Sequence, residues 1–318
     1  GGWTHTVVKV ELMLKKILTN GALWALSFLA GIGLATLERS YAQDYSQIEA
    51  SPALWTIQQG DATVHLFGTF HLLPEGVNWR NDLVNEAFAA SDHVWFEADV
   101  LSPDAQASVQ ALIPQLGLNE PGVALSSLLD EDTRVSLAAM SASLGIPTAN
   151  LEPLKPWLAG LVLATTQLQA LGFDPTAGVE AVLNAEAREA GKTLGYFETV
   201  ESQMRVFADL TPETQVQWLA LSLEEMSELQ IQMEAMVTAW ATGDMDTLDA
   251  QVNGSMRDAS QEVYEAIMVN RNHDWIPLIL GLLEQGGTHF VAVGAGHMPG
   301  EDGVVTLLEA EGLTVTRR

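Results

Sequence analysis

A β-like apolar run that leads straight into Gly-x-x-His occurs twice in this chain. Residues 64–67 precede Gly68-Thr69-Phe70-His71, and residues 290–293 precede Gly294-Ala295-Gly296-His297. Glycine at a strand end lets the backbone turn sharply or approach a ligand closely, and a histidine three residues on can point back over that end. In an open α/β sheet this edge is where ligands bind. Around the two motifs, strand-like and helical segments alternate. The runs 54–57 and 63–67 flank Gln59-Gly60-Asp61 and predict a hairpin. Further strands are expected at 94–97, 193–197, 289–293 and 313–316. Apolar residues at helical spacing mark 81–90, 106–113, 128–144, 157–171, 179–190, 214–241, 245–252 and 261–269. The pattern predicts an α/β fold with a central, mainly parallel sheet and long helical insertions, as one unit over residues 43–318.

Two more of the expected strands end on carboxylates, Glu97 and Glu198. If the strands lie parallel and adjacent, His71, Glu97, Glu198 and His297 meet at one rim. Two imidazoles and one or two carboxylates suit zinc, manganese or cobalt with a position left for water. Such an ion lowers the pKa of its water and polarises a carbonyl. Glu97 follows Trp95 and Phe96 in an apolar strand and needs a partner, for which Arg80 or a helix N-terminus would serve structurally. Glu198, with Glu201, also suits the start of a helix over 199–210. Arg271 falls where one helical pattern ends and another begins, with Asp274 as a cap and Pro277 in the first turn. From there it could reach the rim and stabilise an oxyanion, the plainer readings being a helix-dipole contact or a surface ion pair. His65, His93, His273 and His289 read as structural or solvated. The glycine-rich stretch 294–303 lacks the Lys-Ser/Thr of a phosphate cradle and carries Glu301 and Asp302.

Composition removes several classes. With 14 basic against 41 acidic side chains the formal net charge is −27, so nucleic acid is excluded as a partner on electrostatic grounds. There is no cysteine, hence no thiol nucleophile, Cys-ligated zinc, iron–sulfur cluster or disulfide. Near the start, Met13-Leu14-Lys15-Lys16, the uncharged run 21–37 and Ser40-Tyr41-Ala42 have the form of a signal peptide cleaved after Ala42. Residues 1–42 are thus expected to be upstream sequence plus signal peptide, and the protein to be periplasmic or secreted. Without cleavage, residues 21–37 would anchor it in a membrane, at the short limit of the roughly 17–25 residues a span needs. The oligomeric state is left open.

The order and spacing of these segments resemble the TraB/GumN family. The resemblance covers about residues 52–318. It rests on Gly68-Thr69-Phe70-His71 and its hairpin, Phe96-Glu97, Phe197-Glu198-Thr199-Val200-Glu201-Ser202-Gln203, Trp240-x-x-Gly243-Asp244, Arg271-Asn272 with Trp275, and the closing Gly-Ala-Gly-His297. Animal relatives of that family include the Tiki metalloproteases. A more distant similarity runs to erythromycin-esterase-like hydrolases and the ChaN-like haem-binding fold. The resemblance implies paired GxxH motifs in one site, with His71 and His297 as metal ligands or catalytic histidines. It also implies Glu97 as ligand or general base and Arg271 as electrostatic stabiliser. The expectation is an exported metal-dependent hydrolase, a Tiki-like peptidase of peptides or proteins. A divalent ion would be held by His71, Glu97 and His297, with Glu198 as a further ligand. Two alternatives are metal-independent, esterase-like hydrolysis with histidine general bases, and non-catalytic binding of a peptide or haem. For the latter, Met226, Met233 and Met236 would line a peptide groove if exposed.

Overall fold

The computed structural model describes residues 44–318. The expected signal peptide, its cleavage point after Ala42 and the alternative anchor over 21–37 lie outside the described residues. Among those described, no helix is long and apolar enough to cross a membrane.

The first strands, β1 (Leu54–Gln59) and β2 (Ala62–Thr69), form the expected hairpin, turning at Gly60 with a φ of 61°. The other strands are β3 (Leu73–Pro74), β4 (His93–Ala98), β5 (Phe173–Asp174), β6 (Thr193–Glu198), β7 (Gly287–Gly294) and β8 (Thr316–Arg317). Six of them make one sheet in the order β6-β4-β7-β2-β1-β8. β6, β4, β7 and β2 run parallel, whereas β1 is antiparallel to both β2 and β8. The fold is therefore α/β with a mainly parallel sheet, as the alternation of segments implied. Val64, Leu66 and Phe67 in β2 and Phe290 to Val293 in β7 are buried on successive positions, the mark of central strands covered on both faces.

Helices supply the covers and the crossovers. Asp82–Ala90, capped by the Asn81 side chain, links β2 to β4. Pro103–Leu116, Glu131–Ser143, Pro156–Ala170 and Val179–Glu189 lie between β4 and β6. Pro156–Ala170 is buried over most of its circumference, which makes it an internal rather than a surface helix. Between β6 and β7 the chain passes through Val200–Ala208, Pro212–Glu225 and Leu229–Ala241. It then enters a run from Met245 to Gln285 that contains two π-helical turns, Ala250–Gly254 and Glu265–Val269.

Several expected boundaries move. The segment 128–144 begins as a separate turn, Leu125–Leu128, because Asp130 accepts from the Thr133 amide and starts a new helix there. The run 214–241 divides at the turn Met226–Glu228. The strand expected at 313–316 shrinks to Thr316–Arg317 beside Trp55 and Thr56. No helix starts at Asp274: Gln261–Tyr264 continues through the π turn Glu265–Val269 into Asn270–Gln285. Burial of Arg271, Asn272, Trp275 and Ile276 overrides the proline signal, at the cost of one helical hydrogen bond at Pro277. Met226, Met233 and Met236 are 3%, 2% and 2% exposed, so they are core and line no groove.

Candidate active site

The sheet order delivers the site. Glu198, Glu97, the Gly294 loop and the Thr69 loop leave β6, β4, β7 and β2 at the same edge. The two GxxH loops pack directly on each other. A Cβ on Gly68 would lie 2.8 Å from Ala295 Cα, so only glycine permits this approach. The Gly68 carbonyl accepts from Trp240 Nε1 at 2.8 Å, and the same indole packs against Phe67, Phe70 and Trp79. Gly296 is pressed by Val252 and Met268, one from each π turn, and its carbonyl accepts from Asn253 Nδ2 at 2.9 Å. The π turns thus serve the second GxxH loop directly.

Arg271 is at the centre, 5% exposed. A guanidinium carries five N–H groups, and each finds an acceptor. Nε donates to Glu198 Oε2 at 2.8 Å, and Nη2 to Glu198 Oε1 at 2.7 Å and Glu97 Oε1 at 2.5 Å. Nη1 donates to the Ile267 carbonyl at 3.2 Å and to His297 Nε2 at 3.3 Å. Gln203 Nε2 bridges Glu97 and Glu198 at 3.3 Å each. Burial alone would raise Glu97, but Arg271, His297, His71 and the Gly294 amide, 2.7 Å from Oε2, hold it well below the usual carboxylate range. Burial acts against the charge of Arg271 too, and Glu198 and Glu97 more than reverse it, raising its pKa further.

His297 is held as a neutral ring. Asn272 Nδ2 donates to the Asp302 carbonyl at 2.8 Å, which turns Asn272 Oδ1 toward His297 Nδ1 at 2.6 Å. Nδ1 therefore carries the hydrogen, and Nε2 presents its lone pair to Arg271. Burial, and then Arg271, pushes this histidine down to about 3. Trp275 packs against the His297 ring, tilted by 47° with the ring centres 4.4 Å apart, and lies under the Arg271 guanidinium.

His71 is set the opposite way. The segment Pro175–Val179 docks on its backbone: the Val179 amide donates to the Phe70 carbonyl at 3.0 Å, and Gly178 packs so closely that a Cβ there would collide with the His71 carbonyl oxygen. The strand pair β3 and β5 fastens this contact. The docking carries Glu180 Oε1 to 2.8 Å from His71 Nδ1, where it also accepts from the Thr69 hydroxyl. Burial would lower His71, yet the charge and hydrogen bond of Glu180, aided by Glu97, raise it above its ordinary value against the opposition of Arg271. Its Nε2 points across the bare Cα of Gly294, 3.9 Å from Glu97 Oε2.

All five side chains singled out in the sequence, His71, Glu97, Glu198, Arg271 and His297, thus meet in one cluster. Glu180 joins them without having been singled out, and Asn272, named in the sequence only as part of the Arg271-Asn272 motif, joins them as the partner of His297. Arg80 does not partner Glu97 but pairs with Glu186. Thr199, not Glu198, caps the helix Val200–Ala208, through a reciprocal box with Ser202. Arg271 is neither at a helix C-terminus nor on the surface. Of the remaining histidines, His65 bonds Thr56 across the hairpin, and His289 accepts from Trp95 and stacks on His93 at the far end of the sheet. His273 is exposed.

The TraB/PrgY/gumN family model matches residues 53–317. The chain belongs to this family. No curated protein and no solved structure matches it. In this TraB/PrgY/gumN protein the donors are of the right chemical kind for zinc, manganese or cobalt, but their arrangement does not fit an ion. Glu97 Oε1, both Glu198 oxygens and His297 Nε2 face Arg271. Only His71 Nε2 and Glu97 Oε2 converge over Gly294, and a protein site takes three or four ligands. Among the described residues no three His, Asp or Glu side chains are set to hold a metal together.

Proposed function

We propose that this TraB/PrgY/gumN protein is a hydrolase of peptide or ester carbonyls in which His71 moves the proton and Glu180 holds His71. The observation that carries this reading is the buried Glu180–His71 contact, with Nδ1 engaged and Nε2 directed over Gly294 toward Glu97. Neutral His71 takes a proton from water through Nε2 as the water oxygen attacks the carbonyl. Glu180 and Glu97 stabilise the imidazolium so formed, which then returns the proton to the leaving amine or alkoxide. Arg271, with every N–H engaged, fixes Glu97, Glu198 and His297 and acts on developing charge through its field. Export is part of this proposal and rests on the sequence of residues 13–42. An acidic chain with net charge −27 favours neutral or basic peptides over phosphate-bearing substrates.

The metal-dependent, Tiki-like peptidase is the competing reading. What favours it is the convergence of His71 Nε2 and Glu97 Oε2 over the bare Gly294. A panel of peptide and ester substrates assayed with and without exhaustive chelation separates the two. Hydrolysis that survives chelation supports the reading proposed here. Hydrolysis lost on chelation and restored by zinc, manganese or cobalt replaces it with the metal-dependent one, and stoichiometric peptide or haem binding without turnover replaces both.

A further inference from the structure

The donor atoms around Arg271 are those that a divalent ion would need. Glu97, Glu198 and His297 direct lone pairs at a single centre, and that centre is a guanidinium. His297 is oriented for this by Asn272, whose oxygen holds Nδ1–H and leaves Nε2 as the acceptor, the outer-sphere arrangement that also orients metal-binding imidazoles. The guanidinium is fixed from behind by the Ile267 carbonyl and by the face of Trp275, 5.2 Å away. It does not make way by losing its proton, because a guanidinium stays charged in proteins. A doubly charged ion placed among the same donors would meet this fixed positive charge in a buried setting, where repulsion is weakly screened.

We infer that Arg271 is the built-in cation of this site: its guanidinium takes the position and supplies the charge that a divalent metal ion would otherwise have between Glu97, Glu198 and His297. Two consequences follow. The wild-type chain has no affinity for such an ion here, and removal of the guanidinium uncovers a site for one. In that variant Glu97, Glu198 and His297 turn their lone pairs to the vacated centre, with His71 Nε2 beside them, a mixed nitrogen and oxygen set suited to zinc, manganese or cobalt. Two buried carboxylates would also have lost the cation between them, and a bound ion relieves that cost. The inference does not depend on catalysis, since a metal-free hydrolase and a non-catalytic chain give the same titration.

The test is a titration of the full chain, purified without a histidine tag, with zinc, manganese and cobalt chlorides. It compares wild type, Arg271→Met and Arg271→Met/His297→Ala, reading bound ion per chain and the shift in Tm. Wild type should bind no ion at micromolar concentration and show no Tm shift. Arg271→Met should bind one ion at least tenfold more tightly than wild type and gain Tm when it does, and the double variant should lose that binding. An Arg271→Met chain that is unfolded alone and folds on adding the ion supports the inference equally. Should it stay unfolded in both conditions, Arg271→Gln, whose amide can still donate to Glu198, is titrated under the same criterion. One ion per wild-type chain at micromolar concentration, lost in His71→Ala/His297→Ala, overturns the inference. So does an Arg271 variant that is folded and binds no better than wild type.

Discussion

Replacing Glu180 by Gln removes one negative charge from the buried dyad and changes little else. The amide keeps the shape of the carboxylate and can still accept from the Thr69 hydroxyl and His71 Nδ1. Two influences then oppose protonation of His71, its burial and Arg271, and only Glu97 favours it. The variant histidine should therefore titrate below the ordinary 6.5, whereas the wild-type one titrates above it. Because its folded pKa is raised, the wild-type pair contributes its full stability below about pH 6.5 and loses it as pH rises through the folded value. A hydrogen bond to a charged group is worth about 1.5–3 kcal/mol, so the variant should lose that much near pH 5.5 and far less at a pH above the folded value that the wild-type titration gives. The assay is an imidazole NMR titration of His71, paired with denaturant unfolding at the two pH values. A Glu180→Gln protein whose His71 still titrates above 6.5, or whose stability loss is equal at both, would refute the reasoning.

Gly68→Ala should destabilise by about 1–3 kcal/mol through overpacking, because its new Cβ meets Ala295 Cα at 2.8 Å, while Gly281→Ala, with nothing within 4 Å in mid-helix, should stabilise by about 0.5–1 kcal/mol. Thermal melts of the two variants check the opposite signs. His297 is kept neutral, with a folded pKa near 3 against 6.5 for the free side chain, so between those values the unfolded chain binds the extra proton and stability falls as pH falls. Its share is up to about 1.3 kcal/mol per pH unit at the steepest, and His297→Gln should flatten the acid limb of a stability–pH curve by that amount.

The parallel strands were legible because each is a short apolar run of β-branched and aromatic residues, and the two GxxH loops because glycine follows such a run directly. The meeting of His71, Glu97, Glu198 and His297 follows from strand order, which the sequence suggests only if parallel neighbours are assumed. Glu180 escaped notice for a physical reason. Its helix, Val179–Glu189, ends among solvated residues and looks like an ordinary amphipathic element, yet Glu180 shares the buried face with Leu183 and Ala187. An acid on the apolar stripe of a helix, two residues after a glycine, was the available signal. The role of Asn272 beside His297 was hidden by the break expected at Asp274 and Pro277, which tertiary burial of Arg271 and Trp275 overrides. The π turns were not read from the sequence: the residues they place against Gly296, Val252 and Met268, are distant from it along the chain.

Hydrolysis by wild type and His71→Asn, under chelation and on one peptide or ester substrate that wild type cleaves, tests the central claim most directly. Asn can still donate an amide hydrogen to Glu180, so the dyad's buried acceptor stays paired while the proton-accepting Nε2 is gone. The account predicts an unchanged fold by circular dichroism and a rate lower by about 10²–10⁴-fold, the usual contribution of a general base. A folded His71→Asn protein that cleaves the substrate at the wild-type rate would contradict it.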